Sequence, residues 1–156
     1  MERSSTTSTR GLRGRRAVGT LMGMDVTRIA IVHIPVADQE RSLAFYRDVL
    51  GMDIAIDNLV MPGMRWLQLH PRAPGANLVL ADWDGIGAPG SVQGLILQVD
   101  DARAAAEHLR QQGITPARED LGTPFGDFVE LADPDGNRLA LWQPAPGMDI
   151  ASIDPG

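Results

Sequence analysis

The stretch FVELADPDGNRLALW, Phe128 to Trp142, decides how the chain is organised. Two strand-like runs flank the turn DPDGN. Pro134 presets the first corner of a tight turn, Asp133 can accept a backbone hydrogen bond, and Gly136 can take a positive φ as the next strand begins. The two aspartates are therefore expected to be structural. The run that follows, GNRLAL at Gly136 to Leu141, repeats GANLVL at Gly75 to Leu80 after 61 residues. A turn and strand that recur at a fixed distance suggest an internal duplication.

Working outward supports this. RIAIVHIPVAD places Ala30, Val32, Ile34 and Val36 on one face of a strand and Ile29, Ile31, His33 and Pro35 on the other. Asp38 can cap the next segment, QERSLAFYRDVLG, in which Leu43, Tyr46, Val49 and Leu50 recur at helical spacing and Gly51 ends the run. Three strands are expected at about Met52 to Asn58, Met64 to His70 and Ala76 to Asp82. The pattern then restarts: SVQGLILQVDD is a strand ending in a cap, DARAAAEHLRQQG a helix ending in glycine, and three more strand-like runs reach Trp142. Val36 matches Val99 and Asp38 matches Asp101, both 63 residues apart, and Gly51 matches Gly113 after 62. The expectation is an α+β protein of two βαβββ modules, residues 27–82 and 92–144. The linker, residues 83–91, contains WDGIGAPG, whose glycines and proline suit a flexible crossing. Together the modules form a domain spanning 24–145, with tails at 1–23 and 146–156.

Composition narrows the function classes. With 44% hydrophobic residues in 156, the chain can bury one ordinary core. It has no cysteine, which removes disulfides, thiolate metal sites and cysteine nucleophiles. All 14 basic residues are arginine; five lie in residues 1–23 against one glutamate, a net of +4 that leaves −10 of the total −6 for residues 24–156. An acidic body argues against nucleic acid as a partner. The arginine-, serine- and threonine-rich tail superficially resembles a transit peptide, but is read here as a disordered leader or an early start codon before Met22 and Met24. No apolar run approaches the roughly 18 residues of a membrane span, so a cytoplasmic protein is expected.

VADQERSLAFYRDVLGM, together with a second half ending in ADPDGNRLALW, resembles the vicinal oxygen chelate superfamily, which includes glyoxalase I, extradiol dioxygenases and bleomycin resistance proteins. The likeness covers about Thr27 to Pro144. It implies the glyoxalase/bleomycin resistance/dioxygenase fold, in which two modules form a curved mixed sheet with a central cleft, and it implies a homodimer. It also implies where metal-using members keep four ligands: in the first and last strand of each module. Counting from the Val-x-Asp strand ends and from the turn glycines puts these positions at Ile31, Gly94, Val79 and Ala140. None carries a side chain that ligates a divalent ion. The resemblance is thus to a member whose usual metal site is absent.

Strand parity assigns the cleft. Leu67, Leu69, Val129 and Leu131 should face the helices. Trp66, Gln68 and His70 should face the cleft, with His33 in step with Ile31, and Asn77 and Ala81 in step with Val79. From the second module, Gln98, Phe128, Glu130, Arg138 and Trp142 should join them, with Trp83 near the rim. An aromatic wall carrying a few polar groups suits a small organic ligand. The expectation is therefore a small-molecule-binding protein, of sequestration or resistance type, with no cofactor.

Two alternatives stand beside it. One is an isomerase, lyase or dioxygenase-like enzyme, either using His33 as a general base oriented by Glu130 or holding iron or zinc in a relocated set of His33, His70 and Glu130. The other is a regulatory or structural dimer whose cleft is packed shut by Trp66 and Trp142. His108, on the second helix, is expected to be a solvated surface residue.

Overall fold

In a computed structural model that describes residues 24–148, each half begins with a strand that hands over to a helix through an aspartate. The expected tail 1–23 and residues 149–156 lie outside the described residues. Strand β1 (Ile31–Pro35) leads to Asp38, whose carboxylate accepts the Arg41 backbone N–H at 3.1 Å and starts helix α1 (Gln39–Leu43). Strand β5 (Leu95–Gln98) leads to Asp101, which accepts the Ala104 N–H at 2.9 Å and starts α2 (Ala102–Gln111). The same cap at matching positions satisfies an otherwise orphaned donor in each helix.

The first helix departs from the expected α-helical stripe. After Leu43 it continues as a π-helical segment, Ala44–Val49, in which the Leu50 N–H reaches the Phe45 carbonyl at 3.1 Å. The wider turn brings the neighbours Phe45 and Tyr46 both into the core. Helical spacing alone placed only Tyr46 there.

The remaining strands are β2 (Asp53–Met61), β3 (Met64–His70), β4 (Asn77–Ala81), β6 (Arg118–Thr123), β7 (Gly126–Ala132) and β8 (Arg138–Pro144). They form two four-stranded sheets, ordered β1-β4-β3-β2 and β5-β8-β7-β6. In each, the first strand is parallel to the last, and the other pairings are antiparallel. This is the duplicated βαβββ architecture that the sequence repeats imply. Strand β2 runs beyond Asn58 to Met61, because the turn at Pro62-Gly63 closes a hairpin with β3. No helix among the described residues is long and apolar enough to cross a membrane.

The helix-facing sides of both sheets share one apolar core. Leu43, Tyr46, Leu67, Leu69 and Leu80 of the first module cluster with Leu109, Val129, Leu131 and Leu141 of the second. Parity placed Leu67, Leu69, Val129 and Leu131 on this side, and all four are fully or nearly fully buried. Each such side chain contributes about 1.5–3 kcal/mol relative to an exposed one.

The DPDGN turn fastens one module to the other. Asp133 accepts the N–H groups of Asp135 and Asn137 through one oxygen, both at 2.9 Å. Through the other it accepts the Asn137 side-chain amide at 2.8 Å and the Tyr46 hydroxyl, from the first module, at 2.9 Å. Asn137 also donates to the Pro35 carbonyl at 2.9 Å, and Asp135 accepts from Arg41 at 2.7 Å. Both carboxylates are thus committed to structure, as the turn chemistry suggests. Burial, and then the Asp133 charge, push the Tyr46 phenol far above its ordinary pKa, so it stays a proton donor to that carboxylate.

The linker meets the same turn at Gly90: at φ +82°, a Cβ there would clash with the Asp135 carbonyl oxygen. The glycine there permits a close approach of two backbones.

Removing the Tyr46 hydroxyl alone tests the fastening. Tyr46→Phe should cost about 1–2 kcal/mol in urea denaturation, since Asp133 loses one of four donors and keeps three. A change under about 0.3 kcal/mol would mean that the hydroxyl does not hold the modules together.

Candidate ligand-binding site

The sheet faces turned away from the helices are only partly covered by the chain itself. On the first sheet, direct strand pairing sets His33, Val79 and Gln68 in one row across β1, β4 and β3. Ile31 pairs with Asn77 one step along, and Trp66 lies on β3 one step the other way. Ile31 and Ile56 remain 39% and 40% exposed, which marks this face as apolar and unfinished.

An aromatic group occupies it. The Trp66 and Trp83 rings stack with centroids 5.9 Å apart and planes 19° from parallel. The His33 imidazole stands edge-to-face against both, at 5.7 Å from Trp66 and 5.8 Å from Trp83. Trp66 is held by a hydrogen bond from its indole N–H to the Gln68 side-chain oxygen at 3.0 Å. His33 Nε2 is buried with no hydrogen-bond partner among the described residues. His70 is engaged locally, its Nδ1 lying 2.9 Å from the Pro71 carbonyl. Trp83, expected only near a rim, belongs to this cluster.

The second sheet repeats the arrangement with different chemistry. Ile96, Ala140 and Glu130 form one row across β5, β8 and β7, and Gln98, Trp142 and Phe128 the next. Phe128 and Trp142 stack at 6.0 Å and 21°, and the Trp142 N–H donates to the Phe125 carbonyl at 2.9 Å. Glu130 pairs with Arg138 at 3.4 Å. An open concavity of about 370 Å³ lies here, walled by Gly94, Ile96, Ala140, Phe128, Glu130 and Arg138, with Gln93 and Leu139 at its margin. Ile96 is 54% exposed. Gln98 is exposed as well, beside Trp142 rather than in the concavity.

Parity therefore assigns the right faces, but the described contacts divide the expected site residues into two groups. No hydrogen bond, ring contact or shared cavity wall joins the His33 group to the Glu130 group among the described residues. The expected pair of His33 with an orienting Glu130 is not made within the chain: the imidazole stands beside the stacked Trp66–Trp83 pair, and the carboxylate faces Arg138. The relocated metal set is not assembled either, since no three His, Asp or Glu side chains among the described residues are grouped to hold an ion. The physical reason is that the modules join through their helices and the DPDGN turn, so each open face keeps its own residues. Trp66 and Trp142 lie on different sheets and do not pack against each other to close a cleft within the chain. His108 is exposed, its Nε2 lying 3.1 Å from the Val49 carbonyl.

The four positions that metal-using relatives would fill with ligands occupy corresponding places in the two sheets. Ile31 and Val79 lie on the paired strands β1 and β4; Ala140 lies on β8, and Gly94 immediately precedes its partner β5. Hydrocarbon and hydrogen offer no donor, so this set does not fit a divalent ion. Gly94 and Ala140 instead leave room in the concavity, and nothing lies within 4 Å of where a Gly94 Cβ would stand. Ile96 follows from the parity of Gly94 and Gln98, and could have been named from the sequence. Trp83 could be placed only near the rim, because a residue in a loop has no strand parity.

Known proteins with the same organisation carry related names. The family model of the Glyoxalase/Bleomycin resistance protein/Dioxygenase superfamily matches residues 28–141. TnmS3, an antibiotic binding protein from Streptomyces sp. CB03234, is 36% identical, with a TM-score of 0.72 over 79% of this chain and 100% of that one. A glyoxalase/bleomycin resistance protein from the same strain is 38% identical, with a TM-score of 0.67 over 73% and 98% of the two chains. The uncharacterized protein YetH of Bacillus subtilis (strain 168) is 27% identical over 119 residues, 74% of this chain and 98% of that one.

Proposed function

Since the chain belongs to the Glyoxalase/Bleomycin resistance protein/Dioxygenase superfamily, we propose that it is a metal-independent binder of small organic molecules, sequestering its ligand rather than converting it. The observation that carries this reading is the stacked aromatic pair on each open sheet face, Trp66 with Trp83 and Phe128 with Trp142. Trp66, Trp83 and Phe128 are half-buried, while Trp142 is buried behind its partner ring; flat rings held partly exposed offer a large apolar contact at little cost in side-chain entropy. The aromatic pairs, taken with the likeness to an antibiotic binding protein, make antibiotics with planar ring systems the first class to test here.

The ligand cleft is proposed to need a second copy of the chain. Ile31, Ile56 and Ile96 are too exposed for a finished surface, and a homodimer that apposes the first face of one copy to the second face of the other would cover them. It would also join the His33 cluster to the Glu130–Arg138 pair across the interface. A second reading, an isomerase- or lyase-like enzyme, draws on the unpartnered His33 nitrogen, which such an interface could bring to Glu130.

Titrating intrinsic tryptophan fluorescence with a panel of planar aromatic antibiotics tests the first reading. At least one compound should quench with a Kd of about 10 μM or tighter and be recovered chemically unchanged. Sedimentation should show a dimer. A panel without a single binder would remove the reading, and a ligand recovered as a product would replace it with the enzymatic one.

A further inference from the structure

A nitrogen buried without a hydrogen bond is costly, and His33 Nε2 is such a nitrogen. The Trp66 and Trp83 rings lie roughly perpendicular to the imidazole at 5.7 and 5.8 Å, and neither indole N–H bonds to it among the described residues. The two indoles differ in how they are held. Trp66 stands on β3 with its N–H on Gln68, whereas Trp83 lies just past β4 and its indole makes no hydrogen bond among the described residues. Trp83 is thus the ring that stacking alone holds among the described residues.

Resting on the binder reading above, we propose that the Trp66–His33 corner is the anchor subsite of that ligand, and that it takes a hydroxyl carried on a planar aromatic ring. The ligand ring displaces Trp83 and stacks on Trp66, in the place Trp83 holds at 5.9 Å in the free protein. Its hydroxyl then reaches His33 Nε2. A neutral imidazole presents that nitrogen as donor in one tautomer and as acceptor in the other, and a hydroxyl satisfies both. Trp83 is in this sense an intramolecular stand-in for the ligand, filling the aromatic contact but not the hydrogen bond.

Two probes of equal ring size separate the hydrogen bond from the stacking: 2-naphthol and naphthalene, titrated calorimetrically into the full chain. The native protein should bind 2-naphthol about tenfold more tightly, and His33→Phe should bind the two equally. Because Phe removes the orphaned nitrogen from an apolar corner, that variant should also melt about 2–4 °C higher. In the native protein, 2-naphthol should shift the His33 Nε2 resonance in long-range ¹H–¹⁵N spectra, a readout that needs no variant to fold. Equal binding of both probes with an unmoved Nε2 signal would overturn the subsite and leave the binder reading standing. A His33→Phe protein that melts lower, or still prefers 2-naphthol, would overturn it as well. If neither probe binds while a planar antibiotic of the panel does, the subsite fails and the binder reading stands; if nothing in either set binds, both fail.

Discussion

Asp133→Ala should melt about 10 °C or more below the native protein. The side chain is a buried carboxylate with four donors, two of them backbone N–H groups of its own turn and one the Tyr46 hydroxyl from the other module. Alanine leaves these donors buried without an acceptor. Breaking such a network costs about 3–5 kcal/mol, and each kilocalorie lowers the melting point of a chain this size by about 2–4 °C. Asp135→Ala is the comparison: its carboxylate is buried too, but it accepts from a half-exposed Arg41 guanidinium, the Ala37 N–H and the Ser42 hydroxyl, so its loss should cost about 2 kcal/mol. Calorimetric melting of both variants decides the matter. Equal losses would mean that Asp133 is an ordinary turn residue and that the modules are held by the apolar core alone.

The second large effect concerns binding. For any planar ligand that the native chain binds, Trp66→Ala and Phe128→Ala should each weaken affinity about thirtyfold, Phe128 being the partly exposed ring of its pair and a wall of the concavity. Each deletion removes most of a stacking surface; about 80 Å² of lost apolar contact at roughly 25 cal/mol per Å² gives ~2 kcal/mol. If one ligand spans both faces across a dimer, the double variant should lose the product of the two factors. If only one variant weakens binding, the two aromatic groups serve separate sites. If neither does, the rings are packing elements and the binding reading is wrong.

The duplication was legible because its signals are local. An aspartate before each helix, a glycine after it, and alternating strands with a Gly-containing turn are short-range features, and their matched offsets expose two copies of one unit. Alternation also assigned Leu67 and Leu69 to the core and set Trp66 in step with Gln68, which hydrogen-bonds it on the same face although Gln68 is itself buried. It could not say which face meets which, since parity is a property of a single strand. That is why His33 and Glu130 were assigned to one cleft and are found on separate faces. The π-helical turn at Ala44–Val49 escaped for a related reason: its gain comes from burying both Phe45 and Tyr46 against a partner that helical spacing does not describe. The close approach at Gly90 was not legible because glycine signals freedom and close contact alike, and only the position of Asp135 reveals the contact.

That the turn closing the second module grips the first has a consequence during synthesis. On the ribosome, the first helix emerges well before the aspartate that will accept its tyrosine hydroxyl, and its strands emerge before the leucines that will complete their core. The nascent first half must therefore wait, with apolar surface bare, until nearly the whole chain has been translated. Slow codons between the halves would lengthen that vulnerable interval, and holdase chaperones would be expected to recognise the first half rather than the second.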